Sequence, residues 1–141
     1  MNEPRSDRTG NFAGFAILLG FIVPFSLAAL LSDWRFYTTY EIQWLNMADW
    51  MVTGSLIGGG LAFAWYLVHT TIRGLWRDRP HVIVAVLLAA FMLVQFLNAL
   101  THAKDNFATM PGGLILSVIS TIIGIAAAFM GFRHYNRGSV Q

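Results

Sequence analysis

The stretch Val82 to Asp105 reads VIVAVLLAAFMLVQFLNALTHAKD, and it decides the fold. Its first part, Val82 to Leu100, carries no charge and is close to the roughly 20 residues that a helix needs to cross about 30 Å of hydrocarbon. Lipid offers no water to unpaired backbone groups, so a segment of this kind has to be helical. Towards its end Gln95, Asn98, His102 and Asp105 break the apolar run at spacings of 3, 4 and 3, the rhythm of one helical face. These four residues are a candidate polar pocket.

Three further blocks share that character. With the first they give expected spans at about 11–32, 51–72, 82–100 and 114–132, all within one transmembrane domain covering residues 1–141. The chain is 56% hydrophobic and 11% charged, against about 25% charged for a soluble domain, so the membrane class wins. There are no cysteines, which excludes disulfides, thiolate metal sites and covalently attached haem. No basic nucleic-acid patch and no internal repeat is present. The first block is longer than the apolar core of a signal peptide, and Glu3 and Asp7 dilute the charge before it, so it reads as a retained helix, with Pro24 expected to kink it or free one backbone bond.

Basic residues orient the spans. Arg5, Arg8, Arg73, Arg77, Arg79, Arg133 and Arg137 fall on one side, Arg35 and Lys104 on the other, which predicts cytoplasmic termini in a bacterial inner membrane. The acids Asp33, Glu41, Asp49 and Asp105 then face outward. Between spans 1 and 2, Tyr37, Tyr40, Trp44 and Met47 repeat at helical spacing and predict a short helix lying in the interface. Trp34 and Trp50 join that outer aromatic belt, and Trp76 an inner one. Helix contacts in lipid depend on close approach, which singles out Gly54, Gly58 and Ala62 of span 2 and Ser117, Thr121, Gly124 and Ala128 of span 4. Ala85 and Ala89 in span 3, and Ala16 and Gly20 in span 1, complete the small faces. The expected fold is all-α and integral to the membrane, a four-helix up-down bundle.

Buried amides are costly without partners, so Gln95 and Asn98 should bond to groups such as Ser55, Ser117 or Ser120. His102, with Asp105 one turn away, could trade protons at the mouth of the pocket. His69, His81 and His134 share the opposite side, where two imidazoles could hold a b-type haem, His69 with His134 being the best-placed pair. A zinc or copper site is not expected, because the carboxylates and histidines lie mostly on opposite sides. No nucleophile–base pair suggests an enzyme.

The run NALTHAKDNFATMPGGLILS, followed by GFRHYNRG, resembles the bacterial four-helix inner-membrane domain of unknown function, family number twenty-two thirty-one. His102 and Asp105 match its His-x-x-Asp element, Pro111, Gly113, Leu114 and Ser117 the opening of its fourth span, and Gly131 and His134 its tail. His81 also resembles a family position, and Trp50 fits loosely. The likeness covers residues 50 to 138. The stretch TGNFAGFAILLG departs from it, lacking the histidine with which such domains often begin. The resemblance implies company with periplasmic redox proteins. Three readings follow: a non-catalytic membrane subunit or anchor for a periplasmic or redox partner, a b-haem electron-transfer subunit, or a small homo-oligomeric transporter or channel.

Overall fold

The computed structural model describes residues 5–104 and 106–138, apart from the side chains of 5–12, 106 and 134–138. Four helices account for nearly all of it: α1 (Arg5–Thr39), α2 (Ile42–Ile72), α3 (Arg79–His102) and α4 (Gly112–Gly138). Each contains a segment long and apolar enough to cross a membrane. Every one of them outruns its expected span, because apolarity marks only the stretch that hydrocarbon demands while the helical backbone continues past it.

Burial explains why they assemble. The buried positions include 15, 19, 22, 26, 29, 33 and 36 on α1, and 84, 88, 91, 95, 98 and 102 on α3. On α4 they include 113, 117, 120, 124, 127 and 131. These are alternating steps of 4 and 3, the seam of a left-handed bundle with side chains set into holes on the facing helix. Each helix packs along two neighbours: α1 on α2 and α4, and α3 on α2 and α4. The pairs α1/α3 and α2/α4 are therefore the diagonals. Outside the seam large apolar side chains are exposed, among them Ile17, Leu27, Ile57, Val86, Ile122 and Phe129, as they would be on helices that cross a membrane.

The segment expected to form a separate interfacial helix is divided instead between the ends of α1 and α2. Only Tyr40 and Glu41 separate the two helices, with Tyr40 in the left-handed region at φ 55°. The turn is held by Tyr40 N donating to Phe36 O at 2.7 Å, and by Glu41 Oε2, which accepts from Trp44 Nε1 at 3.0 Å and Gln43 Nε2 at 3.1 Å. We call this end of the bundle the tyrosine end. At the other, arginine end, Gly74 takes φ 65° and a 3-10 turn at Leu75–Arg77 leads into α3, where Pro80 occupies the first turn. Pro24 lies inside α1 without ending it.

Glycines set the interhelical distances. A Cβ on Gly58 would lie 2.7 Å from Phe21 Cβ, an atom anchored to the α1 backbone, so α1 and α2 could accept it only by moving apart. Gly54 lies under the Phe25 ring in the same way. Gly20 differs from its expected role in the small face of span 1: it is exposed and nothing lies within 4 Å of an added Cβ. Gly58→Ala is therefore expected to lose about 1–3 kcal/mol of stability in detergent. Gly20→Ala should be neutral, or should gain up to about 1 kcal/mol from helix propensity. Paired SDS-unfolding titrations check both, and equal midpoints would contradict the close crossing at Gly58.

Candidate functional site: a buried histidine–aspartate centre

The polar face of α3 points into the bundle. Gln95 and Asn98 are fully buried and His102 is 7% exposed. Three helices answer it. Gln95 Nε2 donates to Ser55 Oγ on α2 and, at 3.4 Å, to the carbonyl of Val52. Asn98 Nδ2 donates to Ser117 Oγ on α4 at 2.9 Å. His102 Nε2 lies 2.8 Å from Asp33 Oδ1 on α1, across the diagonal of the bundle. Ser117 Oγ in turn donates to Asp33 Oδ2 at 2.5 Å. Asp33, on the seam position between Ala29 and Phe36, is itself fully buried.

Most protons in this centre have only one possible place. His102 Nδ1 lies 3.0 Å from the Asn98 carbonyl, which can only accept, so this nitrogen carries hydrogen. Ser117 accepts from Asn98, so its own hydrogen goes to Asp33 Oδ2. The one proton left undetermined lies on the line between Nε2 and Oδ1. It makes either an imidazolium with a carboxylate or a neutral imidazole with a carboxylic acid.

Around the centre some acceptors are left over. Gln95 Oε1, Asn98 Oδ1 and Ser26 Oγ are buried without a hydrogen-bond partner, as is Asp49 Oδ1. Asp49 sits on α2 and lines an open pocket of about 230 Å³ together with Val52, Thr53, Ala99, His102 and Ala103. The Thr53 hydroxyl is turned to the Asp49 backbone carbonyl at 2.8 Å.

Of the four polar-pocket residues, Gln95, Asn98 and His102 thus meet in one network, and Asp105 lies outside the described residues. The partner that orients His102 is Asp33, 69 positions upstream. Reading Asp33 only as an outward-facing acid missed this, although the 4–3 rhythm through Leu19, Ile22, Ser26 and Ala29 leads to it. Of the residues singled out for close packing, Ala62 and Ala128 are buried and Gly124 lies against Ile22 and Phe91, whereas Ala89, like Gly20, is exposed.

The other histidines are elsewhere. His81 stacks on Tyr66, with ring centroids 6.4 Å apart, and its Nδ1 is 3.9 Å from Asp78 Oδ2. Tyr66 donates its hydroxyl to the His81 carbonyl at 3.3 Å. His69 is half-buried beside a groove of about 550 Å³ lined by Leu18, Leu61, Trp65, Val68 and Arg73. The His134 side chain lies outside the described residues. Among the described residues no three His, Asp or Glu side chains are grouped to hold a metal ion. His102, with both ring nitrogens engaged, offers none to an iron, which leaves His69, His81 and His134 as the histidines on which a b-type haem would draw.

No family model matches the chain, and no curated protein or solved structure is significantly similar to it.

Proposed function

We propose that this chain is a non-catalytic, multi-pass subunit of the bacterial inner membrane, with cytoplasmic termini at its arginine end, that anchors an outer, redox-type partner at its tyrosine end. One observation carries the reading. Both ring nitrogens of His102 and both carboxylate oxygens of Asp33 are bonded inside the bundle, through three hydrogen bonds of which two reach another helix. A catalytic pair keeps an atom for its substrate, whereas a saturated pair fixes helices in one arrangement. The resemblance to the four-helix domain of unknown function belongs to the same proposal and supplies the redox character of the partner. At the tyrosine end Trp50 (73% exposed), Phe107 (67%), Trp34 and Tyr40 form an aromatic rim. Such a rim sits at headgroup depth, where part of it can meet a protein.

The test uses intact membranes. Phe107→Cys should react with an impermeant maleimide from the periplasm, while Trp76→Cys should react only after the membrane is opened. A photo-crosslinking residue in place of Trp50 should give one discrete protein adduct. Adducts with lipid alone would remove the anchoring role, and labelling of both cysteines from one side would remove the topology.

A further inference from the structure

A buried ionisable pair in a membrane bundle costs free energy, and helices can be held together by cheaper apolar contacts. The structure gives this pair a feature that holding alone does not require. His102, which shares its single undetermined proton with Asp33, also lines an open pocket with a second carboxylate at its wall.

We propose that His102 and Asp33 form a site for one exchangeable proton, and that Asp49 is the group through which that proton enters and leaves. The inference is independent of any partner. The pocket's volume of about 230 Å³ exceeds the ~30 Å³ that a water molecule occupies in the liquid, so a short water chain fits between Asp49 and His102. Asp49 Oδ1 has no bond of its own to break before accepting a proton. Thr53, the other polar side chain of the pocket, is occupied with a backbone carbonyl and does not compete. Among the described residues the groups facing His102 can be named from each helix: Asp33 from α1, Asp49 from α2, and from α4 the uncharged Gly113, with Ser117 bonded to the far oxygen of Asp33. Lys104, two residues further along, is exposed, and Asp105 lies outside the described residues.

Only N–H and O–H bonds change in the step. Loading takes one proton from Asp49 or from a water in the pocket and places it between Nε2 and Oδ1; unloading returns it, and no electron moves. With the proton present, α1 and α3 are bonded across the diagonal. Without it, a nitrogen lone pair faces a carboxylate oxygen and the two repel. The proton thus governs the tie between α1 and α3.

Nitrogen-15 NMR of histidine-labelled full-length protein in nanodiscs tests this, with the His102 signals assigned through His102→Gln. Nδ1 of His102 should stay protonated throughout, while Nε2 changes state as pH is varied over the range in which the protein stays folded. Asp33→Asn should abolish the imidazolium form. Asp49→Asn should slow exchange of the His102 ring proton with solvent by about 100-fold, the scale of losing a positioned acid–base group, and Asp49→Glu should preserve it. Should Asp49→Asn fail to fold, Ala103→Leu, which narrows the pocket from its rim, must slow exchange instead. A His102 Nδ1 that loses its proton, an Nε2 that never changes state, or exchange indifferent to both variants would overturn the proposal.

Discussion

Asp33→Ala is expected to cost about 3–5 kcal/mol of stability in detergent, the scale for removing one partner of a buried, hydrogen-bonded ionisable pair. The loss comes less from the missing attraction than from what stays behind. His102 Nε2 would keep no partner in a site where its side chain is 3% exposed, and Ser117 would lose the acceptor of its hydroxyl. An ordinary interhelical hydrogen bond in a membrane averages only about 0.6 kcal/mol, so a loss of that smaller size would mean that water reaches His102 and repairs the gap. His102→Ala should cost a similar amount. The double variant should cost far less than the sum of the two, because neither partner is then left buried without the other, and Asp33→Leu with His102→Leu should recover further by filling the space. SDS-unfolding midpoints for the four proteins measure the coupling. Strict additivity would show that the two residues do not act as a pair.

The general layout was legible in the apolar blocks themselves. Apolar blocks of about 20 residues have few alternatives to helices, and the charge-free stretch from Val82 to Leu100 lies wholly inside α3. The inward direction of Gln95 and Asn98 was legible for the same reason, since an amide turned to lipid has nothing to bond. Two features were not. The turn between α1 and α2 contains neither glycine nor proline, and Tyr40 takes a left-handed conformation that tyrosine seldom adopts. Helical periodicity alone therefore carried the pattern of Tyr37 to Met47 straight through the break. The second was the partner of His102. Local spacing points to Asp105, one turn on, whereas the bond to Asp33 exists only once α1 and α3 face each other across the bundle. A diagonal contact is a property of four assembled helices and leaves no mark at short range. The part that could be read, the seam rhythm along α1, shows which way Asp33 faces and not what it meets.

Phe91→Ala is the second large effect, expected at about 3–5 kcal/mol. Phe91 is fully buried on α3, and its ring lies between two glycines of different helices. A Cβ on Gly59 of α2 would approach the ring to 2.6 Å, and one on Gly124 of α4 to 3.1 Å. The ring therefore fills a slot that exists because those two positions lack side chains, and it brings α2, α3 and α4 into one layer just below the polar centre. Lipid tails are as apolar as the ring, so transfer out of water contributes little to this contact, and dispersion in a close-packed layer supplies it. That makes shape decisive. Phe91→Leu should recover only part of the loss, because a branched aliphatic chain cannot span the flat gap between Gly59 and Gly124. Enlarging a glycine in the presence of Phe91→Ala should be tolerated, since the added methyl enters the vacated slot: Gly59→Ala should be strongly destabilising alone and nearly neutral in the Phe91→Ala background. Thermal or SDS unfolding of the single and double variants decides it. A Gly59→Ala cost that is the same in both backgrounds would mean that the ring does not occupy the slot.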